Sequence, residues 1–204
     1  MEKELIINGV KYVKLEELKR FEVYDLVKYN GYRWIVINVE DNKLTLMMKN
    51  CLSEEKMKKI FDNDYLDSDG DIKYSLDEKC NNWDKTEIKR GLNNEFLKEF
   101  NKNELVKMKT KYDENRYSFD YIRIPKIREI ERLDPDRIEP NKSSWTMSPS
   151  EFDDALVATT EWNQYSVDYI HPWAWWAWVD DGYGVRPVIT IKSDNPNIKK
   201  VGRV

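Results

Sequence analysis

Cysteine and histidine are scarce in this chain: its 204 residues hold two cysteines, Cys51 and Cys80, and one histidine, His171. With no C-x-x-C spacing, neither a zinc site nor a disulfide framework is signalled, and reduced cytosolic thiols are the expectation. A Ser-His-Asp or Cys-His relay would have to run through His171, yet no G-x-S-x-G elbow accompanies it. No catalytic residue, metal ligand or cofactor is therefore assigned. Seven glycines form neither G-x-x-x-x-G-K-S/T nor G-x-G-x-x-G, the loops whose amides cradle phosphates. No stretch approaches the roughly 18 apolar residues of a membrane span, and Met1 to Asn8 lacks the apolar core of a signal peptide, so a cytoplasmic protein with no membrane partner is expected. Charge of one sign is not in excess either. Against 38 acidic residues stand 34 Lys and Arg, for a net charge of -4, and basic residues are scattered apart from Lys58-Lys59 and Lys199-Lys200. Nucleic acid is accordingly not an expected partner.

What the chain does have is 40% hydrophobic, 35% charged and 13% aromatic residues, a composition that suits one globular domain with a real core. Leu5–Ile7 and Lys11–Val13 flank Asn8-Gly9, a strong hairpin signal. Strands are predicted at 26–29, 32–39 and 44–48, separated by Asn30-Gly31 and Asp41-Asn42. Both alternating sets of 32–39 are largely apolar, so that strand should be central and covered on both faces. A short helix is predicted at 53–61. A longer one at 85–100 takes Asp84 as N-cap, buries Ile88, Leu92, Phe96 and Phe100, and turns Lys85, Lys89 and Lys98 outward. A third starts at Pro125, carries Ile127, Ile130 and Leu133 inward, and stops at Asp134-Pro135. From Ser144 onward, Trp, Tyr and β-branched residues predict a return to sheet. Trp34, Ile35, Ile37, Ile88, Leu92, Phe96 and Val188 are expected in one core. Arg186 is expected to be a buried arginine tying the last strand to a carboxylate or to backbone carbonyls.

Asp62, Asp64, Asp67, Asp69 and Asp71 invite a calcium reading, but an EF-hand frame with Gly70 at its sixth position puts Tyr65 first and Leu76 twelfth, and the bidentate acid is missing. An ordinary acidic loop is expected. The strongest anomaly is aromatic: Trp162, Trp173, Trp175, Trp176 and Trp178, five of the eight tryptophans, crowd together with Tyr165, Tyr169 and Tyr183. Indoles suit core packing, protein hot spots and sugar stacking alike, so core and surface readings both stand. Strand alternation would send one pair inward and leave the other, with Tyr169 or His171, on a partner surface.

The run Asn82-Trp83-Asp84-Lys85 leading to Gly91-Leu92-Asn93-Asn94-Glu95-Phe96 resembles the N-x-W-x-x-S-x-x-R-x-W-L-N-x-x-F signature of a phage and bacterial family, domain of unknown function 6273. Gly91 stands where that family usually has a large residue. Gly31 to Val36 resembles the family's opening G-x-x-W-x-V strand, and Ser118 to Leu133 its middle segment. Trp145 to Pro149 and Gly184 to Val188 are similar to its closing W-T-x-S/T-P and G-V-R-P strands. Residues 148–160 are atypical. G-V/F-R endings also occur in C-type-lectin-like folds, so the resemblance implies an α+β fold: a single compact C-type-lectin-like domain with a mostly antiparallel sheet, two to three helices and an N-terminal β-hairpin. Its expected layout is 1–24 hairpin and linker or short helix, 25–193 domain, 194–204 tail. The paired catalytic cysteines of formylglycine-generating relatives have no counterpart. Glu139-Pro140-Asn141 followed by Trp162-Asn163 is superficially similar to animal lectin calcium ligands, but Gln164 replaces the ligand Asp.

The expected function is a non-catalytic binding module, phage- or mobile-element-encoded, acting on a host protein, as an anti-defence inhibitor does. Its partner-binding residues would be Tyr169, His171, Trp173, Trp175, Trp176 and Trp178, and Trp34, Trp83, Phe96 and Arg186 would be structural. If phage-encoded, it would act in the host cytoplasm. Two alternatives stand: a glycan-active protein or hydrolase whose carboxylates converge only in three dimensions, and a retroelement-diversified receptor-binding protein varied at Asn163, Tyr165, Ser166, Asp168, Tyr169 and His171.

Overall fold

A computed structural model describes residues 4–7, 10–13, 21–150, 156–160 and 175–204. Strands β1 (Glu4–Ile7) and β2 (Val10–Val13) pair antiparallel with Ile7 opposite Val10, as the flanks of Asn8-Gly9 predict. Next comes a meander of β3 (Asp25–Tyr29), β4 (Tyr32–Glu40) and β5 (Lys43–Met48). Its first turn holds Asn30 and Gly31 at φ 50° and 80°, the two left-handed positions of a type I′ turn, which Asn and Gly fill at least cost. Asn30 Nδ2 also donates to the Glu99 carbonyl at 2.8 Å, which ties the turn to the helical layer.

From Lys49 the chain leaves the sheet and does not re-enter its centre until residue 188. The excursion contains α1 (Glu54–Ile60), whose N-cap Ser53 accepts from Lys56 N–H, then β6 (Ile72–Lys73) and α2 (Glu87–Asn94). Next are the ribbon β7 (Met108–Lys111) and β8 (Tyr117–Asp120), then β9 (Ile122–Arg123) and the single turns α3 (Ile127–Ile130) and α4 (Pro135–Ile138). β10 (Ser144–Pro149), β11 (Leu156–Thr160) and β12 (Trp175–Trp178) form a separate three-stranded sheet, and β13 (Gly182–Tyr183) pairs with β6. β14 (Val188–Lys192) and β15 (Lys199–Arg203) complete a six-stranded sheet in the order β15-β3-β4-β5-β14-β9. The named strands pair antiparallel throughout, so the chain is an α+β protein of mostly antiparallel sheets. No helix among the described residues is long and apolar enough to cross a membrane.

Residues 199–203, expected in a tail, are instead an edge strand of the main sheet. Lys200 Nζ lies 2.7 Å from the carboxylate of buried Asp25. A lysine-rich strand suits an edge, where it discourages pairing with another chain.

β4 is central, and its run Trp34 to Ile37 is buried on both faces. Residues expected in one core therefore fall into two, because neighbours on a strand point to opposite sides. Trp34 and Val36 join Met57, Trp83, Ile88, Leu92, Phe96 and Ile189 on the face covered by α1 and α2. Ile35, Ile37 and Val188 join Met47, Ile130, Leu133 and Ile138 on the face covered by α3 and α4.

The long helix expected at 85–100 is broken into three pieces. Asn82 caps a 3-10 turn at Trp83–Lys85, and Thr86, not Asp84, caps α2 by accepting from Lys89 N–H at 3.1 Å. A second 3-10 turn follows at Phe96–Glu99. The apolar stripe survives the breaks: Ile88, Leu92, Phe96 and Phe100 are all buried, with the last two rings edge-on at 5.2 Å. Lys89, expected outside, is half-buried because two carboxylates draw it in. Likewise Pro125 starts no helix. α3 begins after Lys126, whose N–H donates to Glu129, Ile127 is only half-buried, and Asp134-Pro135 opens α4 instead of merely ending α3. Among the described residues there are four α-helices, against the two or three expected.

Gly91 sits where a Cβ would meet Phe61 Cδ1 at 2.3 Å and the Ile60 carbonyl at 2.7 Å. The ring of Phe61 thus occupies the place of a side chain on α2. Gly91→Ala should gain up to about 1 kcal/mol of helix propensity but lose roughly 1–3 kcal/mol to overpacking, a net destabilisation in urea melts. Phe96→Ala should cost about 3–5 kcal/mol. A loss below about 1 kcal/mol would remove Phe96 from the core.

Candidate functional site

The first place where polar side chains converge is the N-terminal end of α2. Asp120, 1% exposed, accepts at Oδ2 from Trp83 Nε1 at 3.0 Å and from Ser118 Oγ at 2.6 Å, and its Oδ1 faces Lys89 Nζ at 3.2 Å. Lys89 Nζ also reaches Asp84 at 2.6 Å, and Tyr112 OH donates to Asn82 at 2.8 Å. Burial alone would raise the Asp84 carboxyl, but bonds from Lys89 and Ser118 outweigh it and hold the group below the ordinary carboxylate range. Burial and the nearby Asp84 charge push Tyr112 up to about 12. An open cleft of ≈ 390 Å³ adjoins this cluster, lined by Asp84, Thr86, Glu87, Lys89, Arg90 and Asn93 among others. Glu87 is bonded to Arg90 and to Asp62 N–H, and Asn93 brackets β9 by bonding Tyr121 N–H, Ile122 N–H and the Ile122 carbonyl. The lining groups are thus engaged with their neighbours, and the cluster clamps α2 onto β8 and β9.

The two cysteines are free. Burial raises the Cys51 thiol to about 11 despite the positive charges of Arg186 and Lys142, so at neutral pH it is a protonated thiol and not a nucleophile. Arg186 is 1% exposed. Its Nε donates to the Met48 carbonyl at 2.8 Å, and one terminal nitrogen donates to the carbonyls of Lys49 at 3.0 Å and Ile138 at 2.6 Å. Burial lowers its pKa to about 10, which leaves it charged at neutral pH. A second buried arginine, Arg123, forks onto both oxygens of Glu129 at 2.7 and 2.6 Å. In the acidic loop Asp67 accepts from the Asp69 and Asp71 amides, and Asp71 pairs with Lys142. Among the described residues no group of three or more His, Cys, Asp or Glu side chains is arranged to hold a metal ion. Asn141 accepts from Cys51 N–H at 2.8 Å, so the Glu139-Pro140-Asn141 run frames a loop.

The structural tryptophans Trp34 and Trp83 are fully buried, as is Phe96. Of the partner-binding set, Tyr169, His171 and Trp173 lie outside the described residues, as do Trp162, Asn163, Tyr165, Ser166 and Asp168. Trp175 and Trp176 belong to β12, opposite Thr159 and Ala158. Trp178, the last residue of β12, is 55% exposed between buried Ala177 and Val179, and its N–H donates to Asp181 at 3.1 Å.

A surface that sequence reading missed lies on the β7–β8 ribbon. Thr110, Ser118 and Asp120 face inward, while Lys109, Lys111, Tyr117 and Phe119 face solvent, with the two rings 46% and 55% exposed. Lys109 Nζ stands 4.7 Å from the Tyr117 ring centre and 5.8 Å from that of Phe119; Lys102 and Lys107 stand 4.8 and 5.9 Å from that of Tyr121. Exposed cation–π pairs of this kind are worth about 0.5–1 kcal/mol each. The available signal was the alternation of Lys107, Lys109 and Lys111 followed by Tyr117, Phe119 and Tyr121.

Comparison of the chain with family models, curated proteins and solved structures finds no match.

Arg186→Lys replaces a planar fork by one point charge that cannot serve three carbonyls. It should cost roughly 2–4 kcal/mol, and an unchanged melting temperature would refute the anchoring role. Glu129 gives a pH signature. Burial would raise its carboxyl, but the Arg123 charge and hydrogen bonds hold it below the ordinary value. A folded-state pKa below the unfolded one, about 4.3, contributes stability that is present above that pH and lost as pH falls through the folded value. Urea midpoints of wild type and Glu129→Gln should therefore differ at pH 7 and converge toward acid.

Proposed function

We propose that this chain is a non-catalytic binding module of the C-type-lectin-like kind, akin to the phage and bacterial family its motifs resemble, and that it docks on a host protein in the cytoplasm. The observation that carries this reading is Trp178: a large indole more than half exposed at the end of a strand whose adjoining residues are buried. Tryptophan is among the residue types most enriched at protein hot spots. The resemblance adds support through the order of its motifs, several of whose residues hold the architecture. Asn93 brackets β9, Trp83 fills the core, and Arg186 ties the closing strand to the excursion's first residues.

A second reading, chemistry by converging carboxylates, has one observation in its favour: Asp84 and Asp120 both approach Lys89 beside an open cleft. Against it, Asp120 is buried and bonded to Trp83 and Ser118.

The test is Trp178→Ala, scored for melting temperature and for capture of a partner from lysate of a bacterial host. The expected outcome is an unchanged melting temperature with binding weakened about 30-fold or more, the roughly 2 kcal/mol of a hot spot. Destabilisation by about 3–5 kcal/mol, as for a core tryptophan, with binding of the folded fraction intact would overturn the assignment.

A further inference from the structure

We propose that the solvent face of the β7–β8 ribbon binds single-stranded nucleic acid. Alternate residues of a strand share one face and recur about every 6.6–6.8 Å. Tyr117 and Phe119 therefore share the solvent face of β8 beside Lys109 and Lys111 of β7, and the face continues past the strand ends to exposed Lys107 and the half-buried ring of Tyr121, which packs on the core. The antiparallel register places Lys111 opposite Tyr117 and Lys109 opposite Phe119, while Lys102 and Lys107 both reach the Tyr121 ring. Among the described residues none of these four lysines is in a salt bridge; Lys111 is near enough to Asp113 to help hold that carboxyl below its ordinary value.

The rings and the lysines match the two chemical parts of an unstacked polynucleotide. Each base offers a π-face to a ring, and each intervening phosphate offers an anion to a lysine. Lysine's flexible four-carbon stem lets the ammonium leave the ring face for a phosphate while the strand stays in place. A duplex, with bases stacked about every 3.4 Å along each strand, cannot set one base on each ring. An acidic polypeptide would satisfy the lysines but give the rings no succession of flat faces. With a net charge of -4 on the whole chain, attraction is confined to this patch, and binding should be sensitive to salt. The site lies on strands other than the one that carries Trp178, so it stands or falls independently of the protein-partner reading.

The experiment is fluorescence anisotropy with a labelled oligothymidine of about 20 nucleotides at several salt concentrations. An abasic oligonucleotide and a duplex of equal length and a polyglutamate peptide are run beside it. Saturable binding is expected, with a log–log salt slope of about -2 to -3 for three or four phosphates neutralised. Phe119→Ala should weaken it about tenfold or more, and the abasic strand should bind wild type comparably weakly. The triple change Lys107→Gln, Lys109→Gln, Lys111→Gln should flatten the salt slope. Melting curves should be unchanged, since all four side chains face solvent. The proposal is overturned by absence of saturable binding at about 50 mM salt, by Phe119→Ala or the abasic strand matching wild type with oligothymidine, or by the duplex or polyglutamate binding as tightly.

Discussion

The buried charge of Arg186 is the constraint on which the rest of the molecule turns. β5 and β14 lie side by side in the sheet, yet the chain between them runs from residue 49 to residue 187. Closing an excursion of about 140 residues costs roughly 4 kcal/mol in chain entropy. Arg186 stands at its exit, and two of its partners, the carbonyls of Met48 and Lys49, stand at its entrance. The backbone completes the junction: Met48 N–H donates to the Pro187 carbonyl and Leu52 N–H to that of Val185. The third partner, the Ile138 carbonyl, is at the C-terminal end of α4, where carbonyls lack helical partners and favour a cation. One guanidinium thus joins both ends of the excursion to the helix that covers the second face. Such a charge is tolerated inside because its donors meet fixed acceptors.

The polar cluster around Lys89 does similar work on the other face. Trp83 Nε1, Ser118 Oγ and Lys89 Nζ all converge on Asp120, and Asn93 offers β9 the donor and acceptor of a neighbouring strand. Trp83 makes its bond from the 3-10 turn that precedes α2, and Asn93 makes its bonds from the last turn of α2. Gly91 belongs to the same arrangement, since the missing side chain admits Phe61 from the end of α1.

With the interior held by these two clusters, the features without an architectural role are at the surface. Trp178 and the ribbon rings Tyr117 and Phe119 are large, exposed and carried by strands whose opposite faces are packed. Rigid strands fix the spacing of such groups, and a binding face needs that spacing. The chain's near-neutral charge balance hides the ribbon's row of lysines, because a net charge sums over the whole chain and not over one face.

Period-two patterns and turn chemistry were legible because they are local. Asn30-Gly31 and the double apolar alternation of 32–39 place a central strand, and the stripe from Ile88 to Phe100 marks a buried helical segment. Even the partition of Trp34 from Ile35 follows from strand geometry once the strand is recognised. The inward draw on Lys89 and the three carbonyls at Arg186 were not legible, because each is decided by a group distant in the chain: Asp120, or Met48 and Ile138. The basic-aromatic face is of the same kind. Its lysines and rings sit in separate segments, and only hairpin pairing brings them opposite one another. The amino-acid sequence by itself determined the N-terminal hairpin, the strands between residues 26 and 48 and the buried stripe from Ile88 to Phe100, because each is a local pattern. Tertiary structure alone decided which charges meet and which surface residues share a face, because those depend on long-range closure that no local pattern records.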